Sequence, residues 1–205
     1  NRLIQIAKDQ DARLVVLPEM LALCQPGGSA CIQEAFDNGP IQDAIKTMAQ
    51  QHKMWIIAGT IPLKSSVPSR PTASTLVIDH HGTVKARYDK IHLFDADLSH
   101  NESYRESDHT QPGNQTVICD TPVGRVGLAV CYDLRFPEQF RCLQQQGAEI
   151  IAIPAAFVHT TGQYHWEVLL RARAIENSCY VIASNQCGHH ESGRHSFGHS
   201  MIIDP

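Results

Sequence analysis

Short apolar runs that end at a turn residue or a polar residue constrain the fold of this chain more than any other feature. Residues 14–17 and 55–61 are runs of this kind, with the length of strands that are buried on both faces. Amphipathic segments alternate with them, and after Gly39-Pro40 the apolar residues recur three and four positions apart, as on one face of a helix. The alternation predicts an α/β protein in which helices cover the sheet.

Two turns indicate that antiparallel pairs interrupt this alternation. A His-His-Gly turn separates the strand-like residues 75–79 and 83–88, and a Pro-Val-Gly turn separates residues 116–119 from residues 125–131. The sheets are therefore predicted to be mixed. The polar residues 95–113 are predicted to form a long irregular connection that either covers a site or frays.

Composition limits the class of protein. With 205 residues, 42% of them hydrophobic and 19% charged, the chain can bury a core, which excludes a disordered chain. We expect a single domain over residues 1–205. The net charge of −4 and the scattered Lys and Arg residues argue against a nucleic acid partner. The longest apolar run, residues 150–158, is too short for a membrane helix, so a soluble protein is expected.

The cysteines indicate the compartment. There are seven of them, an odd number, and no two form a C-x-x-C pair. This pattern favours free thiols in a reducing compartment over a disulfide framework or a structural zinc site, and it predicts a cytoplasmic protein. The seven are Cys24, Cys31, Cys119, Cys131, Cys142, Cys179 and Cys187.

Three polar residues follow strand-like runs at the point where each run ends. Glu19 follows residues 14–18, Lys90 follows the strand that ends near Tyr88, and Cys131 follows a Val-Gly-Leu-Ala-Val run. Loops beyond strand ends are the places where a ligand reaches side chains on a rigid frame. The sequence therefore favours a site in which an acid, an amine and a thiol converge.

These three groups suffice for acyl transfer. Glu19 is a candidate base for the Cys131 thiol, and Lys90 is a candidate for favouring the thiolate or the oxyanion. The backbone N–H of Tyr132, directly after the nucleophile, is a second candidate oxyanion donor. From these residues alone, a loop acid, a surface lysine and a small core cysteine remain open as alternatives.

Four segments, in this order, resemble the successive signatures of the nitrilase superfamily, the carbon–nitrogen hydrolases. They are Leu14-Val-Val-Leu-Pro-Glu19, Tyr88-Asp-Lys-Ile-His-Leu-Phe94, Gly127-Leu-Ala-Val-Cys-Tyr-Asp-Leu-Arg-Phe-Pro-Glu138 and Arg171-Ala-Arg-Ala-Ile-Glu-Asn177. The resemblance covers essentially the whole chain. It implies an α-β-β-α sandwich that can form a four-layer assembly, with Glu19 as base, Lys90 as stabiliser of the oxyanion and intermediate, and Cys131 as nucleophile.

The resemblance implies a fourth site residue. The superfamily commonly carries a glutamate in an aromatic-x-Glu-Ser segment between the lysine and the cysteine, and Tyr104-Arg-Glu-Ser107 fits that pattern. Glu106 is therefore expected to position Lys90 or the attacking water. A solvated loop acid remains the alternative, because this pattern is short.

By similarity, the reaction is hydrolysis of a primary amide to a carboxylate and ammonia through a Cys131 thioester, with Glu19 acting as base, acid and base again. No cofactor and no metal are implied. Within the superfamily, residues 133–138, 154–157 and 161–167 resemble most the branch of the deaminated glutathione amidases, which act on small α-keto acid derivatives. A nitrilase, an N-carbamoyl hydrolase and a catalytically silent binding domain remain alternatives.

Four residues are candidates for the substrate pocket: Arg135, Phe157, His165 and Trp166. Arg135 could pair with a substrate carboxylate in a bidentate way, or form an ion pair within the fold. Core packing is the more common use of a helical tryptophan. On the same helix, Arg173 and Glu176 are three positions apart and are expected to pair with each other.

The histidines near the end of the sequence allow a further alternative. His189, His190, His195 and His199 could bind a metal with Cys187, but their spacing matches no tight zinc pattern, so a mobile loop at the rim of the pocket is favoured. The resemblance also implies a homodimer or larger homo-oligomer. It further implies a first strand before Asn1 and a strand and tail after Pro205, so the domain is expected to lack both ends.

Overall fold

The computed structural model describes residues 2–22, 32–99 and 102–205 of the chain. Within these ranges the helices are α1 (Arg2–Asp9), α2 (Pro40–His52), α3 (Pro137–Gln145) and α4 (His159–Asn177). The strands are β1 (Leu14–Val16), β2 (Trp55–Leu63), β3 (Thr72–Ile78), β4 (Val84–Asp89), β5 (Asp95–Ser99), β6 (Glu102–Arg105), β7 (Ile118–Thr121), β8 (Gly124–Leu128), β9 (Ile150–Ala155), β10 (Tyr180–Asn185), β11 (Cys187–His189), β12 (His195–Phe197) and β13 (Met201–Ile203).

Two mixed sheets form the centre of the molecule, as the alternation of runs and hairpins predicts. The first has the strand order β1-β2-β3-β4, with β1 parallel to β2 and the other pairs antiparallel. The second has the order β13-β10-β9-β8-β7, in which β8, β9 and β10 are parallel and the two outer strands are antiparallel to their neighbours.

The buried residues show how the layers are stacked. One apolar cluster joins α1 and α2 to the outer face of the first sheet, through residues such as Ile4, Ile45 and Ile56. A larger cluster joins the facing surfaces of both sheets to α3 and α4 and includes Ile57 and Trp166. The layers are therefore helix, sheet, sheet and helix, which confirms the predicted α-β-β-α sandwich.

Several predicted element boundaries are wrong. Residues 95–113 are not wholly irregular, because β5 and β6 pair as a hairpin and a 3-10 turn follows at Glu106–Asp108. The strand predicted over residues 125–131 ends at Leu128, three residues before Cys131. The segment predicted as a mobile loop contains the antiparallel pair β11 and β12. These segments are short and polar, so their pairing leaves no hydrophobic periodicity in the sequence.

The cysteines that the structure describes are free thiols: Cys119, Cys131, Cys142, Cys179 and Cys187. Cys24 and Cys31 lie outside the described residues. Among the helices of the described ranges, none combines the length and the apolar character needed to cross a bilayer.

Candidate active site

Four of the predicted residues meet in one largely buried site. The Lys90 Nζ atom lies 2.8 Å from the Glu19 Oε1 atom and 2.8 Å from the Glu106 Oε2 atom. Cys131 lines the same cavity as these three residues. The side chains of Lys90, Glu19 and Cys131 are only 2%, 3% and 5% exposed. The chain thus brings together an acid, an amine and a thiol that are 71 and 41 positions apart in the sequence.

Glu19 is held by backbone contacts from both sheets. It follows β1, whose register continues when the Leu17 N–H donates to the Ile57 carbonyl. At this point β2 approaches very closely, because a Cβ atom on Gly59 would lie 1.9 Å from the Pro18 carbonyl oxygen, so only glycine fits. The Ala156 N–H donates to Glu19 Oε2 at 2.7 Å, just after β9. The carboxylate is therefore fixed where the ends of β1 and β9 meet.

Lys90 begins the segment that leaves β4, and its backbone continues the sheet by donating to the Ala73 carbonyl. Its ammonium is bound on both sides by the carboxylates of Glu19 and Glu106. Glu106 also accepts the backbone N–H of Phe94 at 2.6 Å. Glu106 thereby fixes both the Lys90 ammonium and the backbone at Phe94, four residues after Lys90.

Cys131 is held in a left-handed backbone conformation with φ of 45°, at the start of a 3-10 turn. A non-glycine residue adopts this conformation at a cost of about 1–3 kcal/mol unless its surroundings impose it. The surroundings here centre on Asp133, which is fully buried and whose Oδ2 atom accepts the Val130 N–H at 2.8 Å and the Tyr88 hydroxyl at 2.6 Å. Its Oδ1 atom lies 3.0 Å from the His92 backbone nitrogen and 2.7 Å from His92 Nδ1. The turn that carries Cys131, the candidate nucleophile, is thus anchored to the end of β4, beside Lys90.

The ionisation states follow from burial and from these neighbours. Burial raises the pKa of the Cys131 thiol above its usual range, and the Glu19 carboxylate raises it further, while Lys90 and Arg194 act in the opposite direction. Burial would raise the pKa of Glu19, but Lys90 and Arg194 keep it below its usual value. Burial would lower the pKa of Lys90, but Glu106 and Glu19 raise it well above the usual value. At neutral pH the site therefore holds a neutral thiol, an ionised carboxylate and an ammonium.

A cavity of about 710 Å³ opens above these groups. Its floor is formed by Glu19, Lys90 and Cys131, and its rim by the β5–β6 hairpin and by the turn between β11 and β12. Glu102 joins the rim to α4: it accepts the Thr160 hydroxyl at 2.7 Å, and within β6 it also accepts the Tyr104 hydroxyl. The volume is in the range of sites for small organic ligands.

The four residues predicted for the substrate pocket do not line this cavity. Trp166 is fully buried, packs against Phe157 and donates its indole N–H to the His199 carbonyl, so it belongs to the core between α4 and the second sheet. His165 is exposed on α4 and lies 3.2 Å from an Arg135 nitrogen. Arg135 and Phe157 line a small crevice that adjoins Cys131 and Arg194. The assignment of His165 and Trp166 to the pocket is therefore corrected, because their helix turns them outward and into the core.

Two further predicted features have defined positions. Tyr132 follows Cys131 in the 3-10 turn, and its ring packs against Phe94, with ring centres 5.1 Å apart. Arg173 pairs with Glu176 at 2.8 Å, as expected, and it also donates to the Leu134 carbonyl behind the nucleophile turn.

Sequence reasoning missed two residues of the site. Arg194, in the turn between β11 and β12, lines both the cavity and the adjoining crevice, yet its surroundings in the sequence indicate only a Gly-rich and His-rich loop. Asp133 stands in the sequence only as one residue of the motif 127–138, with no role predicted for its side chain. An Asp two positions after a candidate nucleophile, in an otherwise apolar segment, is a signal that could have identified it as buried and paired.

The terminal histidines stack on one another instead of converging on one point. The His195 ring lies between those of His159 and His189, at centroid distances of 4.2 Å and 3.9 Å. Across the described ranges, no group of three or more His, Cys, Asp or Glu residues has an arrangement that could hold a metal ion.

Comparison with known proteins gives a consistent result. The sequence model of the carbon-nitrogen hydrolase family matches residues 1–205. The deaminated glutathione amidase of Yersinia enterocolitica is 50% identical over 173 residues, which are 83% of this chain and 60% of that protein. The deaminated glutathione amidase of Dictyostelium discoideum is 42% identical over 213 residues and is matched over 73% of its length by the whole of this chain.

The fold is shared with solved structures. The crystal structure of the NitFhit protein of Caenorhabditis elegans, a fusion of nitrilase and fragile histidine triad proteins, superimposes with a TM-score of 0.89 at 37% identity. The match covers 98% of this chain and 50% of that one. The chain therefore spans half the length of NitFhit and three-fifths of the length of the Yersinia amidase. The family model, the relatives and the fold agree, and the chain belongs to the carbon-nitrogen hydrolase family, within the nitrilase superfamily.

Proposed function

We propose that this chain is a thiol amidase, which hydrolyses the C–N bond of an amide through a thioester on Cys131. The observation that carries the proposal is the convergence of the buried Glu19 and Lys90 with the partly buried Glu106, beside the Cys131 thiol. A core cysteine or a surface lysine would not require one buried and one partly buried carboxylate and an ammonium around it, because burying charges is costly unless they serve one another or a ligand.

The first half of the reaction begins from a neutral thiol. Glu19 takes the Cys131 proton as the sulfur attacks the amide carbon, because the raised pKa of the thiol disfavours a thiolate in the resting site. Negative charge then builds on the amide oxygen, where the Lys90 ammonium and the Tyr132 N–H are the proposed donors. Glu19 returns the proton to the nitrogen as the C–N bond breaks, which leaves a thioester and a free amine.

The second half repeats this sequence with water. Glu19 removes a proton from the water that attacks the thioester carbon, and the collapse of the second tetrahedral intermediate releases the carboxylic acid and the Cys131 thiol. Glu106 is a positioning residue in this scheme. Its two contacts of 2.8 and 3.1 Å to Lys90 hold the ammonium in place while Glu19 changes its protonation state.

For the substrate we propose an amide of a small α-keto acid, of the deaminated glutathione type, on the basis of the names of the relatives. Deaminated glutathione contains no primary amide. Hydrolysis of the amide formed by the nitrogen of its cysteine releases cysteinylglycine instead of ammonia. The release of ammonia that the sequence analysis predicts is therefore expected only from primary amides such as α-ketoglutaramate. The cavity of about 710 Å³ supports this substrate class, since it is large enough for a leaving group of dipeptide size.

We propose that copies of this chain associate through α4. Three apolar side chains on one face of this helix are largely exposed: Tyr164 (69%), Val168 (67%) and Ile175 (68%). An exposed apolar stripe of this kind is typical of an interface. Sedimentation of the protein and of Val168→Glu tests this proposal, which predicts that the variant sediments as the smaller species. Equal sedimentation of the two proteins would contradict it.

A cytoplasmic location is also proposed. Its support is the set of five described cysteines that form no disulfide with one another, since free thiols are typical of a reducing compartment. Imaging of a tagged full-length protein would test it, and enrichment in a secreted fraction would contradict it.

The central experiment is a panel of amide substrates assayed with the protein, with Cys131→Ala and with Cys142→Ala as a matched cysteine control. The panel contains deaminated glutathione, α-ketoglutaramate, a simple nitrile and an N-carbamoyl amino acid, and both amine and ammonia are measured. We expect turnover of the α-keto acid amides, loss of turnover in Cys131→Ala and retention in Cys142→Ala.

The other outcomes select the alternatives. Preference for the nitrile or for the N-carbamoyl compound would favour those members of the same family, because the same four residues can serve all three reactions. Full turnover by Cys131→Ala would overturn the mechanism. Binding without turnover by the unmodified protein would favour a silent binding domain.

A further inference from the structure

We propose that Arg194 binds a carboxylate group of the substrate and thereby selects acidic amides over neutral ones. This inference rests on the proposed amidase function and deepens it. Arg194 lies in the turn between β11 and β12 and lines the cavity together with Cys131, Glu19 and Lys90. It is the sole arginine that lines both this cavity and the crevice on the other side of Cys131, among the described residues.

The side chain of Arg194 is held in place before any ligand binds. Its Nη2 atom donates to the carbonyl of Ala156, the residue whose N–H binds Glu19. Its guanidinium lies over the ring of Tyr104, 5.2 Å from the ring centre. A carbonyl on one side and an aromatic face below restrict the guanidinium plane, so little entropy is lost when it binds a planar anion.

Part of the guanidinium is left without a partner. The Nε atom of Arg194 is buried and forms no hydrogen bond with any described residue. Buried N–H groups of this kind are normally bonded, because a buried donor without an acceptor destabilises the fold. A carboxylate oxygen is the acceptor that best fits a guanidinium edge.

The charges around the cavity point to the same ligand. Lys90 is neutralised by two carboxylates, and one nitrogen of the Arg105 guanidinium donates to both carboxylate oxygens of Asp97. Arg194 takes part in none of the ion pairs between described residues, and the undescribed positions 1, 23–31 and 100–101 contain no Asp or Glu. Arg194 is therefore a cation at the cavity wall that no described carboxylate contacts at ion-pair distance, and an anionic ligand would supply a direct partner.

Arg194 is also close enough to the reacting groups to act on a small substrate. Its charge lowers the pKa of both Glu19 and Cys131, which places the guanidinium within electrostatic reach of the nucleophile. A carboxylate bound there lies near the amide carbon, as it does in the monoamide of a short dicarboxylic acid. The sequence suggested Arg135 for this role, but that side chain lies in the crevice, against the rings of Tyr132 and Phe157 and beside His165.

The test compares glutaramate with pentanamide, which has the same five-carbon acyl chain and lacks the carboxylate. Affinities are measured by calorimetry on Cys131→Ala protein, so that they do not depend on turnover. With Arg194 intact we expect glutaramate to bind more tightly. In Arg194→Gln we expect the ratio of the two affinities to fall roughly 10–100-fold, since a charge-assisted hydrogen bond is lost, with partial rescue in Arg194→Lys.

Two matched controls separate this role from a structural one. Arg105→Gln removes a cation that also faces the cavity but is already paired, so the ratio should stay within about threefold of that of the parent protein. Arg135→Gln tests the earlier candidate. If Arg135→Gln lowers the ratio and Arg194→Gln does not, or if Arg194→Gln weakens both ligands equally, the proposal is overturned. Failure of the amidase function itself would appear separately, as absence of turnover by protein with an intact Cys131.

Discussion

The floor and the rim of the cavity are built in different ways. On the floor, Glu19, Lys90 and Cys131 are almost completely buried, and the backbone of both sheets fixes them. On the rim, the β5–β6 hairpin and the β11–β12 hairpin lie outside the two sheets, and β12 also forms an isolated bridge between Ser196 and Val158. Contacts of the rim such as those from Glu102 to Thr160 and from Arg105 to Asp97 are exposed.

This difference indicates a division of work. A reaction that needs atoms fixed to a fraction of an ångström depends on the buried floor, where any displacement would disturb the core. In the proposed function, recognition of the rest of the substrate would depend on short hairpins whose residues can change at little cost to the core. Variants of the floor should therefore affect the chemical step or the whole fold, and variants of the rim should affect affinity for particular substrates.

The largest effect is expected for Lys90→Met. This change removes one oxyanion donor and leaves Glu19 and Glu106 without their shared cation, so kcat should fall roughly 10²–10³-fold. Steady-state kinetics on α-ketoglutaramate, below the melting temperature of the variant, would measure it. Lys46→Met is the control, because Lys46 forms ion pairs with Asp37 and Asp43 on the surface and should leave kcat unchanged. A decrease smaller than about tenfold would show that the lysine is not part of the chemistry.

The next effect is expected for Asp133→Asn, through stability. Each carboxylate oxygen of Asp133 has two donors around it, so an amide nitrogen at either position meets N–H or O–H groups instead of an acceptor. We expect the free energy of unfolding to fall by about 2–4 kcal/mol, measured by urea denaturation.

The control for Asp133 is Asp120→Asn. Asp120 pairs with Arg125 at 3.0 Å in an exposed position, and its loss should cost less than about 1 kcal/mol. Equal losses for the two variants would mean that the nucleophile turn does not depend on its buried carboxylate.

The same difference explains which parts could be predicted from the sequence. Glu19, Lys90 and Cys131 follow apolar runs whose burial can be recognised in the sequence, and buried strands fix the positions of the residues that follow them. That they meet across two sheets came from the resemblance alone, since spacing does not determine a contact between residues 71 positions apart. Arg194 could not be predicted, because its hairpin is stabilised by backbone pairing and by contacts with α4, and neither leaves a periodic pattern.

At the rim, Gly162→Ala should reverse the usual effect of this substitution. Alanine normally stabilises a helix relative to glycine by up to about 1 kcal/mol. In α4, however, a Cβ atom at position 162 would lie 2.5 Å from the Cβ atom of Phe197 on β12, too close to the backbone for a simple rotation to relieve. We expect the hairpin to shift, with a loss of about 1–3 kcal/mol in stability and a larger rise in KM for glutaramate than for pentanamide, relative to the unmodified protein.

The neighbouring exposed residue supplies the control for this effect. Gln163 lies on the same turn of α4, where its exposed side-chain amide donates to the Thr160 carbonyl, so Gln163→Ala should change neither stability nor KM. A stabilised Gly162→Ala protein, measured by thermal melting, would mean that the hairpin does not pack on the helix as described.

The smallest effect is expected from the stacked histidines. Burial lowers the pKa of His195, and the neighbouring His189, His159 and His190 lower it further. The pKa of His190 is also lowered, by burial, Arg194 and His189. Because these histidines bind protons more tightly in the unfolded chain than in the folded hairpin, the free energy of unfolding rises with pH between their lowered pKa in the fold and the ordinary histidine pKa of about 6.5. The stability contributed by the neutral histidines is complete above that ordinary pKa and is lost as the pH falls below it.

Protonation of the stack should therefore loosen the turn that carries Arg194. We expect the KM for glutaramate to rise a few-fold between about pH 7.5 and pH 5.5, with a flatter profile in His195→Asn, since that variant removes the central ring of the stack. His80→Asn, at the distant β3–β4 turn, should keep the profile of the unmodified protein. If His195→Asn shows the same rise in KM, the pH dependence belongs to the floor of the cavity, and the rim is more rigid than its exposed contacts indicate.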